Sequence, residues 1–152
     1  MNKRIAVIGS GFSSLSAAAY LAKKGFSVKV FEKNQTLGGR ARQLKKNGFT
    51  FDMGPSWYWM PDVFESFYND FGKTTADFYN LERLDPSYQV FFGERDSISI
   101  GDSLKKIYKL FDKEEKGSSK KLKRFIDLAK ENYDIAIKDL VYRPGISPLE
   151  LI

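Results

Sequence analysis

Four residues near the amino terminus have the types and spacing needed to hold a nucleotide. Gly9, Gly11 and Ser14 lie in the stretch GSGFSS, directly after the apolar run IAVI, and Glu32 stands 23 positions after Gly9. In a dinucleotide-binding turn the first glycine permits the tight bend, the second lets the backbone approach the pyrophosphate, and the third allows close packing of helix on strand. Ser14 holds the third place. Its side chain is small and its hydroxyl can bond back to a carbonyl of the preceding turn. The departure is therefore expected to widen the helix-strand spacing slightly and to leave the anion site at the helix start intact. A carboxylate about 20 residues beyond the turn can accept hydrogen bonds from both ribose hydroxyls and would repel a 2′-phosphate. Glu32 is the candidate for that role; the plain alternative is an exposed acid at a strand end.

Composition excludes much other chemistry. The 152 residues include no cysteine and no histidine, which removes disulfides, thiolate nucleophiles, Cys/His zinc sites and histidine-dependent triads. No metal site is expected, no catalytic residue is assigned, and a cofactor has to carry any redox step. With 42% hydrophobic and 15% aromatic residues, the chain is expected to bury a sizeable core.

The elements that would position these residues follow from periodicity. Residues 3–9 (KRIAVIG) read as a buried strand ended by glycine. Leu15, Ala18 and Leu21 recur at helical spacing, with Gly25 as the stop. Residues 27–32 (SVKVFE) alternate and predict a second strand, parallel to the first through a right-handed crossover. Beyond the loop NQTLGGR, the dipeptide Asn47-Gly48 predicts a hairpin between RQLKK and FTFDM. Pro61 opens a helix whose stripe of Val63, Phe64, Phe67, Tyr68 and Phe71 reads as core. YQVFFG and SISIG predict a second hairpin around Glu94 and Arg95. Asp102 is expected to cap a helix through Phe111, and a longer helix is expected from about Ser118 to Leu140.

The net charge of +6 is concentrated in LKK at 44–46 and in KGSSKKLKR at 116–124. Interleaved acids make the second run read first as a solvated helix face, and second as a contact with an acidic membrane surface. No nucleic-acid partner is expected, because no helix-turn-helix, zinc or RNA-recognition signature accompanies the charge. The apolar stretch after Met1 is too short for a signal peptide, and no run approaches a membrane span. A cytoplasmic protein, soluble or peripheral on the inner face of the membrane, is the expectation.

The run from Gly9 to Glu32, followed by Leu37-Gly38-Gly39-Arg40, resembles the extended FAD-binding signature of the flavin amine oxidase and phytoene desaturase superfamily. NGFTFDMGPSW, at 47–57, is similar to an element of bacterial-type phytoene desaturases and related carotenoid desaturases. The resemblance implies an α/β fold: a Rossmann-like FAD-binding unit of strand, helix and strand, followed by hairpins and helices. It places Gly9, Gly11 and the helix start Phe12, Ser13 and Ser14 at the pyrophosphate, with Glu32 at the ribose and Lys33 among the cofactor-binding residues. Gly38, Gly39 and Arg40 would lie against the pyrophosphate, with Arg40 a charge-assisted donor; Asp52, Gly54, Pro55 and Ser56 would approach the flavin region. Trp57, Tyr58 and Trp59 would be either neighbours of flavin or polyene, or an apolar anchor on the core.

The activity implied is FAD-dependent desaturation of a carotenoid precursor, with a hydride equivalent passing from a saturated carbon-carbon bond to flavin. The partners implied are a hydrophobic polyene and a membrane surface. Residues 1–80 would be the amino-terminal part of the FAD-binding domain, 81–100 strands of a substrate domain, and 101–152 the start of a helical region. The family also has a late Gly-Asp element that returns to the flavin, and Gly101-Asp102 is too early to be it. The chain is therefore expected to be a truncated amino-terminal fragment, inactive alone. Two alternatives stay open at this point: another flavin oxidoreductase, such as an amine oxidase or a retinol-saturase-like enzyme, and a non-catalytic nucleotide-binding or membrane-surface module.

Overall fold

A computed structural model describes residues 3–54 and 57–147. Two units divide the chain, Met1–Asn80 and Leu81–Ile152.

The first unit opens with β1 (Arg4–Ile8), α1 (Phe12–Lys23) and β2 (Ser27–Phe31). The strands pair in parallel, from Arg4 against Ser27 to Ile8 against Phe31, with α1 as the crossover packed on them. This is the expected Rossmann-like arrangement. The helix ends as Gly25 predicts: Gly25 has φ +85°, its N–H donates to Ala22 O at 2.9 Å, and the Phe26 N–H donates to Leu21 O at 3.2 Å. These are the two bonds of a Schellman stop, which requires a left-handed residue after the cap. Next, β3 (Gln43–Lys46) and β4 (Phe49–Asp52) form an antiparallel hairpin. Its turn residues Asn47 and Gly48 both have positive φ, 52° and 81°, the signature of a type I′ turn.

Pro61 is the first residue of α2 (Pro61–Asn69), where its missing N–H and preset φ do no harm. The aromatic stripe packs against α1, although no residue of α2 is fully buried. Phe12 of α1 meets Phe64 edge-on at 5.6 Å, and Tyr20 meets Phe67 at 5.7 Å and Phe71 at 5.2 Å. Tyr20 Oη and Lys23 Nζ both donate to Asp70, joining the two helices at their ends.

The second unit contains the hairpin β5 (Tyr88–Phe91) and β6 (Ser97–Ile100), then α3 (Leu104–Glu114) and α4 (Ser118–Lys138). One expectation is corrected here. The amino-terminal cap of α3 is Ser103, whose Oγ accepts from the Lys106 N–H at 3.4 Å. Asp102 instead accepts from Lys106 Nζ at 2.9 Å, a lysine it shares with Asp85. A cap must lie at the last non-helical residue to reach the second or third amide, and the helix starts one residue later than expected. It also runs past Phe111 to Glu114. The amino terminus of α4 has no side chain of its own to cap it, Gly117 being the cap residue. Asp112 of α3 does that work, accepting from the Gly117 and Ser119 N–H groups at 3.1 Å each and from Ser119 Oγ at 2.6 Å.

The sizeable core does not appear. Among the described residues Ala18 is the sole buried hydrophobic side chain, and Ile8 at the end of β1 is 79% exposed. Among the described residues each sheet has two strands, so every strand keeps an open edge there and the pairs lack the second layer that would cover both faces. Parallel strands are ordinarily covered on both sides. No helix among the described residues is long and apolar enough to cross a membrane.

Candidate functional site

The residues singled out in the sequence converge at the carboxyl end of β1. Gly9 takes φ +95° and its N–H donates to Phe31 O at 2.7 Å, which ties the turn to the end of β2. Gly11 caps α1, and no acidic residue occupies the first helical turn. The first amides of a helix lack intrahelical partners and carry the positive end of its dipole. Phe12, Ser13 and Ser14 are the residues whose N–H groups form that end.

Ser14 does not back-bond as expected. The hydroxyl that reaches a carbonyl one turn earlier is that of Ser16, bonded to Ser13 O at 3.1 Å. Ser14 Oγ lies 3.6 Å from where a Cβ on Gly9 would stand, an ordinary contact distance. The serine is accommodated over the bare α-carbon of the first glycine.

The second glycine pair closes on this turn. Gly38 takes φ +104° and its N–H donates to Ser10 O at 3.0 Å. Gly39 takes φ +60°, and a Cβ there would sit 3.1 Å from the Gly11 α-carbon. Gly39 thus passes close over the Gly11 backbone, where a side chain on Gly39 would be crowded, and Arg40 follows with its side chain exposed. Gly54 comes in from the end of β4: a Cβ on it would be 2.5 Å from Arg40 O, and the Met53 N–H donates to Arg42 O at 3.0 Å. Gly39, Arg40, Arg42, Met53 and Gly54 line a depression of about 340 Å³. Pro55 and Ser56 lie outside the described residues.

Glu32 reaches back to the turn. Its Oε2 accepts from the Ser10 N–H at 2.9 Å and from Ser10 Oγ at 2.7 Å. Its Oε1 accepts from the Asn34 N–H at 2.9 Å and from Asn34 Nδ2 at 2.6 Å. The Ser10 hydroxyl and the other donors hold the carboxyl down, from 4.5 to about 2, against a smaller opposing effect of desolvation. Bonds to the charged form stabilise it, so Glu32 is an anion across the physiological range. The adjacent Lys33 is exposed.

Sequence reasoning missed three residues of this site. Ser10 is the most deeply buried polar residue among the described residues, at 1% exposure. It was passed over because the position between the two glycines has no assigned role in the turn. Asn34 was also missed, although a short polar side chain two residues past a carboxylate is a known source of local side-chain to backbone bonds. Arg42 lines the depression beside Arg40. Tyr58 is an anchor: its ring lies 5.1 Å from Phe64, and its hydroxyl bonds that of Tyr79. Burial, then that bond, pushes its phenol up. Trp57 and Trp59 stay exposed, at 63% and 62%.

The donor set suits a dinucleotide. A helix amino terminus free of acids, bare glycine backbone on two sides, arginine side chains and a fixed carboxylate match phosphate on one side and ribose on the other. Residues 7–71 match the family described as NAD(P)-binding Rossmann-like domain. The chain is 43% identical over 139 residues to a carotenoid 3,4-desaturase of Haloarcula japonica, which covers 91% of this chain and 28% of that protein. It is 36% identical over 146 residues to a 4,4′-diapophytoene desaturase (4,4′-diaponeurosporene-forming) of Staphylococcus haemolyticus, covering 96% and 29%. The enzyme of the same name from Staphylococcus aureus (strain Newman) is 41% identical over 145 residues, covering 95% and 29%. The chain spans less than a third of the length of these curated relatives.

Proposed function

From a chain that is a relative of the carotenoid and diapophytoene desaturases and carries a Rossmann-like dinucleotide-binding domain, we propose the nucleotide-holding part of an FAD-dependent polyene desaturase. The observation that carries the choice of FAD is the seating of Gly38-Gly39-Arg40 on the first turn, with Gly39 against Gly11 and Gly54 against Arg40. A turn that served only the first phosphates would not need a second and third glycine element folded over it.

The positions of this chain's residues support the following roles. The amides that begin α1 and the exposed Arg40 side chain neutralise pyrophosphate. Gly9, Gly11, Gly39 and Gly54 keep the backbone bare where it meets the cofactor. Glu32 orients ribose and rejects a 2′-phosphate by charge. Bound flavin supplies the acceptor for a hydride equivalent withdrawn from a saturated carbon-carbon bond, chemistry that no side chain here can provide.

The substrate of the whole protein is a hydrophobic polyene, matching what the relatives' names say those enzymes desaturate. A peripheral contact with anionic lipid accompanies it, made by the basic run 116–124 at the start of α4. Lys121 and Lys123 there are 78% and 62% exposed, though each is paired with an acid, Glu115 and Asp127. Phe125 follows at 69% exposure. Anionic liposomes should therefore retain the protein at low salt and release it as salt rises.

The experiment that tests the reading is anaerobic mixing of the flavin-loaded whole protein, rather than of this chain alone, with a phytoene-type polyene in detergent. Bleaching of the oxidised flavin spectrum, with appearance of a longer polyene chromophore, is the expected result. Bleaching by amines and not by polyenes would make it a different oxidoreductase, and failure to retain FAD at all would remove the flavoprotein reading.

A further inference from the structure

The carboxylate of Glu32 has two halves with different surroundings, and the difference bears on how it can meet a ribose. A carboxylate offers about four lone-pair positions, and all four are occupied. Ser10 fills those of Oε2 with its N–H and its hydroxyl, at 2.9 and 2.7 Å. Asn34 fills those of Oε1 with its N–H and its amide nitrogen, at 2.9 and 2.6 Å.

The two donors are not equally easy to displace. Ser10 is 1% exposed, and its carbonyl accepts the Gly38 N–H at 3.0 Å. Its hydroxyl has no water to turn to, and its backbone is fixed from both sides. Asn34 is exposed. Its amide nitrogen can exchange the bond to Oε1 for one to water, an exchange with little net change in free energy.

We propose that Ser10 is a positioning residue that holds Oε2 permanently, and that the Asn34 carboxamide occupies Oε1 as a placeholder which a single ribose hydroxyl displaces. This rests on the ribose role of Glu32 and sharpens it. The carboxylate does not grip the diol evenly with both oxygens: one oxygen belongs to the fold and the other to the ligand. Ser10 fixes the carboxylate before ligand arrives, which removes an ordering penalty from binding. Asn34 competes with the ligand, which adds a small one.

The two residues therefore have opposite signs, something a merely structural role for both would not produce. The test is the affinity of the full chain for ADP, which carries the ribose and phosphates without the flavin. Ser10→Ala is expected to weaken ADP by roughly three- to tenfold, and to give the ADP affinity a fall with acid at a higher pH than the wild type shows. Ser10→Thr, which keeps a hydroxyl, should restore much of both. Asn34→Ala should bind ADP as tightly as the wild type or up to about threefold tighter. Of 2′-deoxy-ADP and 3′-deoxy-ADP, one should bind markedly worse than ADP and the other nearly as well.

Equal weakening by Ser10→Ala and Asn34→Ala, or equal losses with both deoxy nucleotides, would overturn the division of the carboxylate while leaving Glu32 at the ribose. Loss of ADP affinity in Ser10→Ala that Ser10→Thr does not repair would overturn the role given to the hydroxyl. An unchanged ADP affinity in Glu32→Ala would remove the ribose reading itself, and with it this one. The carboxyl of Glu32 can also be titrated by NMR in the absence of nucleotide. A midpoint that does not rise in Ser10→Ala would overturn the clamp independently of any ligand.

Discussion

Gly54 in the first unit and Gly101 in the second each leave no room for a side chain, but what stands in the way differs. A Cβ on Gly54 would meet the backbone oxygen of Arg40 at 2.5 Å, whereas one on Gly101 would meet Lys106 Cδ at 2.8 Å and Cβ at 2.9 Å. Around Gly54 the neighbours are main chain, tied by the Met53 to Arg42 and Gly38 to Ser10 bonds. Around Gly101 they are the stem of a lysine that is half exposed and held by Asp85 and Asp102. The first unit fixes its site with backbone against backbone. The second joins hairpin to helix with surface ion pairs, which are individually weak and sensitive to salt.

That contrast can be broken most directly at Gly54. Replacing it with alanine should destabilise the chain by roughly 1–3 kcal/mol and remove ADP binding, as read by urea unfolding and by titration calorimetry. Gly101→Ala should be milder, because most of the lysine stem can rotate away, and it should leave ADP affinity unchanged. Equal losses at the two sites would end the distinction between the units.

The hairpin turn offers a case of conformation without contact. No atom lies within 4 Å of a Cβ built on Gly48, yet its φ is +81°, so Gly48→Ala should cost about 1 kcal/mol from backbone strain alone. Thermal unfolding is the measurement, with ADP affinity retained in the folded fraction.

Acid sharpens the comparison further. The folded chain holds Glu32 at about 2 against 4.5, so this group stabilises the native state fully above about pH 4.5 and loses that effect as pH falls toward 2. Glu65, Asp102, Asp112, Asp134 and Asp139 are also held down, each first by a hydrogen bond from a partner side chain. The Glu32 contribution is therefore read as the difference between wild type and Glu32→Gln in urea midpoint across that window. The two curves should converge as the pH approaches 2; a constant gap would mean that the carboxylate's ionisation is not what stabilises.

The smallest effects belong to the second unit's charges and to Ser14. Lys106→Ala should lower the melting temperature slightly at low salt, and the difference should vanish in about 1 M salt. Ser14→Gly should leave stability and ADP affinity close to wild type, since Ser14 Oγ only rests over Gly9 at contact distance.

Much is legible in the sequence, for reasons local to each stretch. Gly25 had to end α1, because a helix followed by a left-handed glycine has no other continuation. Asn47-Gly48 specified its own turn, Pro61 suits the first position of a helix, and the spacing of Phe64, Phe67 and Phe71 gave the face that α2 turns toward α1. The cap of α3 was misplaced by one residue because Asp102 and Ser103 are both good caps, and the choice depended on Lys106 and Asp85 elsewhere in the chain. The core was overestimated because composition counts apolar residues without saying whether a second layer covers them.

By itself, then, the sequence determined the elements, the parallel crossover and the identity of the glycines, since backbone conformation and short-range periodicity are properties of neighbouring residues. Only the tertiary structure decided that Gly39 passes over Gly11, that Gly54 abuts Arg40, and that Ser10 and Asn34 divide the carboxylate of Glu32 between them. Apart from the local Asn34 bond to Glu32, those contacts join residues 14 to 28 positions apart, and such pairs are set by how the turns close on one another. No rule of spacing along the chain contains that information.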